Sequence, residues 1–250
     1  MMNIYNILTI YPSFFDSFIN HGLVKKGLEK KLIDINIHNL RDYTDDKHKR
    51  VDFKTYGGGP GMVMQYQPVK NALESINSKK CYFLSPQGKI LSQNKLNKLS
   101  RERDVTFLCG RYEGVDQRII DNLVDEEISI GNYVLSGGEL PVACIIEGIT
   151  RLIPGIADSI ESINQDSFSN QILDYPHYTK PETVDNLNVP DVLLSGDHKE
   201  IELWRRKQSL GFTMTKRPEL LKNVNLSKED DRLLQEFISE KKAEESEQNN

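Results

Sequence analysis

The sequence is short of the features that mark several common protein classes. Among its 250 residues are three cysteines, Cys81, Cys109 and Cys144, each in an apolar run and far from the others. So sparse and odd a count, with no C-x-x-C spacing, excludes a disulfide scaffold and a zinc module and predicts reduced thiols in a cytoplasmic protein. No stretch approaches the roughly 18 consecutive apolar residues of a membrane span. The start, Met1-Met2-Asn3-Ile4-Tyr5-Asn6-Ile7, lacks the positive segment and apolar run of a secretory signal. There is no Walker A pattern. Positive charge is not in excess either: 32 Lys and Arg against 37 Asp and Glu leave a formal net charge of −5. That argues against a non-specific nucleic-acid coat, yet permits a local basic patch, because binding depends on where the charge sits. At 38% hydrophobic and 28% charged, the composition is that of a globular chain with one large domain or two ordinary ones.

What is present, from residue 3 to about 150, is an alternation of short apolar runs with helix-period segments. The runs Ile4–Thr9, Ile33–Ile37, Cys81–Leu84, Val105–Cys109 and Glu127–Ile130 read as strands. Phe14–Ile19, Leu23–Lys30, Val69–Ile76 after Pro68, the segment from an N-cap at Ser92 to Leu99, Val115–Leu123 and Glu139–Ile149 read as helical. Strands alternating with helices predict an α/β fold, a mostly parallel sheet with helices on both faces. Pro154-Gly155 closes this block. The polar stretch Ala157–Tyr175 has no sustained period and reads as a linker or loop. After the proline-punctuated turns at 175–181 and 189–191, the pattern is helical over Lys199–Leu210, Pro218–Leu221 and Ser227–Glu240. Ser227 and Asp230 are spaced as a capping box, and residues 243–250 read as a frayed tail.

Charge is unevenly spread. Residues 199–222 hold seven Lys and Arg against three Glu, whereas 229–247 hold eight Asp and Glu against three Lys and Arg. The basic run, with Trp204, Arg205, Arg206 and Lys207 in a row, fits either a solvated helix face around a small core or an RNA-contacting face.

Two sets of glycines are candidates for holding a ligand. Gly57-Gly58-Gly59-Pro60-Gly61 formally fits the glycine loop of nucleoside-binding Rossmann methyltransferases. That loop should leave a first strand directly and open a helix, and here polar residues 41–54 precede it. It reads instead as a flexible element able to approach a substrate backbone. The second set follows three predicted strands: Ser85–Gly88, Gly110–Gly114 and Gly131–Gly138. In a parallel sheet such loops gather at the carboxyl ends of neighbouring strands, where open α/β sheets bind ligands. Glycines there bring main-chain groups to a ligand, and Tyr112, Tyr133 and Leu135 are placed to enclose a flat base, which points to a nucleoside-type pocket.

Seven collinear segments carry a resemblance: Tyr56-Gly-Gly-Gly-Pro-Gly-Met, Leu84-Ser-Pro-Gln-Gly, Gly110-Arg-Tyr-Glu-Gly, Ser129-Ile-Gly-Asn-Tyr-Val-Leu-Ser-Gly-Gly-Glu-Leu-Pro, Asp166-Ser-Phe, Leu173-Asp-Tyr-Pro-His-Tyr-Thr-Lys-Pro and Val192-Leu-Leu-Ser-Gly-Asp-His. They resemble the bacterial tRNA (guanine-N1)-methyltransferase family of the SPOUT superfamily, from the first strand to about Leu221. The resemblance implies a deep trefoil knot in an S-adenosylmethionine-binding domain, 1–155, a flexible linker, 156–176, and a small helical tRNA-binding domain with an acidic tail, 177–250. It implies methyl transfer from S-adenosylmethionine to N1 of the guanine immediately 3′ of the anticodon, in tRNAs whose preceding base is guanine. By motif, the ligand contacts fall on Leu84, Ser85, Pro86, Gly110, Tyr112, Glu113, Gly114, Ile130, Gly131, Tyr133, Leu135, Gly137, Gly138 and Pro141. This chain departs from the common family pattern at Asn132, where Asp is usual.

The resemblance also implies roles. Guanine N1 carries a proton near neutral pH, so the reaction needs a base beside N1 and a positive or donor group near O6. Those fall on Asp166 and Arg151, with Asp174, Glu113 and His177 as weaker candidates. Gly57, Gly58 and Gly59, with Arg205, Arg206, Lys207, Lys216 and Arg217, would meet the anticodon stem-loop. Members act as homodimers whose site combines parts of both chains, and they need Mg²⁺, whose ligands the sequence does not assign. Three rivals remain: a SPOUT enzyme acting on another base or a ribose, a non-enzymatic RNA-binding module with the same fold, and a Rossmann methyltransferase using Gly57–Gly61.

Overall fold

The computed structural model describes residues 2–159, 165–222 and 224–248. The chain divides into two compact units, one up to Asp158 and one from Ser159 onward.

The first unit is built on a five-stranded sheet: β1 Asn3–Thr9, β2 Ile33–Asn39, β5 Cys81–Ile90, β6 Asp104–Leu108 and β7 Glu126–Ser129. Their order is β2-β1-β6-β5-β7 and every pairing is parallel, with Tyr5 opposite both Ile35 and Val105. β1, β6 and the first four residues of β5 are buried almost throughout, as in strands covered on both faces, whereas the edge strand β2 alternates Ile with polar residues. Side-chain alternation sends Tyr5, Ile7, Tyr82, Leu84 and Phe107 into one core, and Leu8, Cys81, Phe83 and Leu108 into the other. The first core is closed by α1 (Gly22–Glu29), α3 (Gln93–Leu99) and α5 (Glu139–Leu152), the second by α2 (Tyr66–Ser75) and α4 (Gln117–Leu123). Ser92 caps α3 by accepting from the Lys95 amide. A two-stranded antiparallel pair, β3 Asp52–Phe53 and β4 Val63–Met64, flanks the Gly57–Gly61 loop.

Several elements differ from their sequence patterns. Phe14–Ile19 falls in two 3-10 turns, Pro12–Phe15 and Phe18–Asn20, and the helix expected from Val115 starts at Gln117. α2 starts at Tyr66, ahead of Pro68, because the first turn of a helix needs no amide donor from a proline. β5 does not stop at Leu84: Leu84 and Lys89 both pair with Ile128, so Ser85–Gly88 bulges out of a continuing strand. Gly88 closes that detour, since a Cβ there would lie 2.5 Å from the β7 main chain.

In the second unit the helix His198–Lys216 is capped by Asp197, whose carboxylate accepts from the Lys199 and Glu200 amides. Lys228–Gln248 is also helical, so the expected frayed end at 243 is extended to Gln248. Its capping box closes as the spacing predicts: the Ser227 hydroxyl accepts from the Asp230 amide, and Asp230 accepts from the Ser227 amide. Ile172, Leu210 and Leu233 form the core, and Gly211 lets the two long helices approach, because a Cβ would meet the Phe237 ring at 2.4 Å. A short hairpin, β8 Thr183–Val184 and β9 Leu187–Asn188, turns on Asp185 and Asn186, both at positive φ. The expected linker is divided. Ile156 is buried in the first unit's core, 160–164 lie outside the described residues, and 165–176 pack on the second unit's helices.

Candidate functional site: a pocket at the carboxyl edge of the sheet

The loops after β5, β6 and β7 converge where a parallel sheet presents its ligand-binding edge. They enclose a cavity of about 490 Å³. Its wall includes all fourteen residues that the motifs nominate for the methyl donor, from Leu84, Ser85 and Pro86 through Gly110, Tyr112, Glu113, Gly114, Ile130, Gly131, Tyr133, Leu135, Gly137 and Gly138 to Pro141. It also includes residues that motif reading passed over. Arg111 and Gln87 lie inside quoted motifs, and Gln117 and Ile120 come from α4, whose proximity to the loops no sequence pattern discloses.

Local geometry explains the loop composition. Tyr112 sits at φ 62°, a left-handed conformation costly for a non-glycine residue and held here by its neighbours. Its phenol is pushed up from its ordinary pKa by burial and the nearby Asp52, and a hydrogen bond with Arg41 opposes that shift. Gly114 lets the same loop turn back, with the Glu113 amide donating to Met62 and the Met64 amide accepted by Gly114. Gly138 lies so close to β6 that a Cβ would be 2.7 Å from the Cys109 Cα. Asn132 is exposed, between the lining residues Gly131 and Tyr133.

Other candidates are distributed more widely. Gly57, Gly58 and Gly59 all take positive φ on an open loop with Tyr56 fully exposed, and they lie between β3 and β4 rather than at a strand-to-helix turn. That geometry is not a Rossmann nucleotide loop. Arg151 is half-buried in the last turn of α5, in the first unit. Asp166 is half-buried in the second unit, in a turn where its carbonyl accepts from the Ser169 amide. The segment that carries it is tied down: Leu173 donates its amide to Thr213, and Asp174 accepts from Tyr175 and contacts His177 at 3.0 Å.

The basic helix is not a row of free cations. Arg206 pairs with Asp230 at 2.6 Å and Lys207 with Glu240 at 2.5 Å, while Arg217 pairs with Glu219. Arg205 lies over the Tyr175 ring and keeps a buried Nε without a hydrogen-bond partner, and Lys216 lies over Phe212. Among the described residues no group of three or more His, Cys, Asp or Glu converges as a metal site, and no helix is long and apolar enough to cross a membrane.

Known proteins are similar along most of this chain. A family model described as tRNA (Guanine-1)-methyltransferase TrmD matches residues 2–223. A tRNA (guanine-N(1)-)-methyltransferase of Buchnera aphidicola is 50% identical over 223 residues, covering 87% of this chain and 94% of its own. Proteins of the same name from Shewanella woodyi and Vibrio vulnificus are 48% and 46% identical, each covering over nine-tenths of both chains.

Proposed function

This chain belongs to the tRNA (guanine-1)-methyltransferase family and is a methyltransferase enzyme, and on that premise we propose how its residues carry out the reaction. It transfers a methyl group from S-adenosylmethionine to N1 of the guanine immediately 3′ of the anticodon, in tRNAs whose preceding base is guanine. The observation that carries this reading is the gathering of the three motif loops around one cavity, of a size that suits a nucleoside-type ligand.

The cavity's chemistry fits S-adenosylmethionine. Leu84, Leu135 and Pro141 offer apolar surface to a planar base, main-chain groups at Gly110, Gly131 and Gly138 are free of Cβ obstruction, and Glu113 offers a carboxylate to a cationic end. When bound, the donor supplies an activated methyl. Asp166 takes the N1 proton, which frees the ring lone pair. Arg151 stabilises the negative charge that then develops on O6. We assign Asp166 to a second copy of the chain, in a homodimer. The family's deep trefoil knot, formed from the same three loops, belongs to this proposal. Mg²⁺, which the family also implies, has no acidic cluster to hold it among the described residues, so no residue is assigned to it.

For tRNA, Arg205 and Lys216 are our preferred phosphate contacts, because Arg206, Lys207 and Arg217 already face carboxylates. The open Gly57–Gly59 loop is the part of the first unit free to approach the RNA backbone. The test is calorimetric titration with S-adenosylmethionine, followed by incubation with tRNA and mass spectrometry of the product nucleosides. Binding followed by 1-methylguanosine is expected. Absence of binding would favour the non-enzymatic module, and a methylated ribose or a different base would favour another SPOUT activity.

A further inference from the structure

Glu139 is 1% exposed, an unusual condition for a carboxylate, and it opens α5 directly behind the pocket. The reaction as described has no use for it. Both of its oxygens are nonetheless fully engaged. Oε1 accepts from the Thr9 hydroxyl at 2.7 Å, and Oε2 accepts from Nε and Nη2 of Arg111, each at 2.8 Å. The Thr9 oxygen accepts in turn from the Tyr11 amide at 2.9 Å, and the Arg111 guanidinium lies over the Tyr11 ring at 4.7 Å. Thr9, Tyr11 and Arg111 thus close a ring with one buried carboxylate.

Arg111 extends the ring to the third loop. Its Nη1 donates to the Ser136 carbonyl at 3.2 Å, and its backbone bridges Gly137 in antiparallel fashion. A Cβ at Gly137 would lie 2.1 Å from Arg111 Nε, so any larger residue there would push the guanidinium out of its place on Glu139. The second and third pocket loops are therefore joined by main-chain contacts, the Arg111–Gly137 bridge and the Gly138 amide donating to Gly110, and the ion pair adds a side-chain latch that ties both to the end of β1. A buried pair of this kind is weak evidence for added stability, and what it supplies to the two loops is the fixed geometry of the guanidinium fork.

We propose that Glu139 is a positioning residue for the methyl donor: through Arg111 it holds the Gly110–Gly114 and Ser136–Gly138 loops at the separation that S-adenosylmethionine requires. The inference rests on the donor occupying this pocket. Without Glu139 the Arg111 fork is released and the two loops keep only their main-chain contacts, so their separation is less sharply fixed, while Asp166 and Arg151 are untouched. The defect is expected in donor binding rather than in chemistry.

The test uses Glu139→Gln, which keeps shape and one acceptor, and Thr9→Val, which keeps shape, lies off the cavity lining and removes the hydroxyl donor to Oε1. Full-length proteins are titrated calorimetrically with S-adenosylmethionine, and initial rates are measured across donor concentrations. The expected result is a donor Kd and KM raised about tenfold or more in both variants, with kcat at saturating donor close to wild type. Wild-type donor affinity in a folded Glu139→Gln protein overturns the proposal, as does a loss confined to kcat. If Glu139→Gln does not accumulate as folded protein, Thr9→Val decides by the same two readouts. Failure of the wild-type protein to bind the donor would instead refute the pocket assignment on which this inference depends.

Discussion

The two units put charged side chains to opposite uses. In the first, five glycines stand in the pocket wall, and the ion pair of Arg111, a wall residue, with the buried Glu139 serves as a latch. In the second, cations lie on a helix surface where sequence alone suggests a phosphate grip, yet several are matched to carboxylates 2 to 33 residues away. A count of charges along a sequence reports supply. Only the fold reports which charges are left for a partner.

The comparison can be broken or sharpened by substitution. The largest effect is expected from Asp166→Ala. Loss of the base should lower turnover about 10²- to 10⁴-fold in single-turnover assays while calorimetry finds donor affinity unchanged. Near-normal turnover would remove Asp166 from the mechanism.

Next is Gly138→Ala, whose Cβ would collide with the Cys109 main chain, an obstacle that no rotamer relieves. Overpacking of this kind costs about 1–3 kcal/mol. Thermal unfolding should report it, together with weaker donor binding. Unchanged unfolding and binding would show that the third loop is not held against β6.

A smaller effect belongs to the second unit. The Arg206 guanidinium, helped by Ser227, holds the Asp230 carboxyl down at about 2, from an ordinary value of 3.8. Because the folded value is the lower one, the stabilisation is complete above about pH 5 and is lost as the pH falls from about 4 toward 2, amounting to about 1–2 kcal/mol. Trp204 is the only tryptophan of the chain and lies in this unit, so its fluorescence in urea titrations follows the loss. Asp230→Asn should flatten that part of the pH profile, and an unaltered profile would assign the acid sensitivity elsewhere.

The smallest effect separates two adjacent arginines. Arg205→Ala should weaken tRNA affinity and reduce the salt slope by about one counterion, whereas Arg206→Ala should mainly lower stability. The reverse pattern would place the phosphate contact on the paired cation.

Much of the first unit can be read before any coordinates. Runs such as Val105–Cys109, followed at once by Gly110-Arg111-Tyr112-Glu113-Gly114, announce a buried strand and a loop at its carboxyl end. The continuation of β5 past Leu84 cannot be read in that way, because a bulge rejoining the same partner residue depends on β7 and not on local composition. Glu139 was equally hidden: an acid in the first turn of a helix is ordinary for dipole reasons, and its burial depends on Thr9, 130 residues away. The hairpin at Asp185-Asn186 escaped because each of its strands is only two residues long. The residues between 165 and 176 looked like linker for lack of period, yet Ile172 and Leu173 dock on the helix at Leu210 and Thr213, a match that resides in the partner helix rather than in the segment.

The central claim is methylation of one ring nitrogen in one sequence context. The most direct measurement incubates the protein and S-adenosylmethionine with a tRNA transcript and with two altered transcripts, one lacking the guanine 3′ of the anticodon and one lacking the guanine before it. Products are mapped by mass spectrometry of nuclease fragments. The account predicts 1-methylguanosine at that single position in the parent transcript, none in the first variant, and a large loss in the second. A methyl group on any other atom or position, or equal modification of all three transcripts, would contradict it.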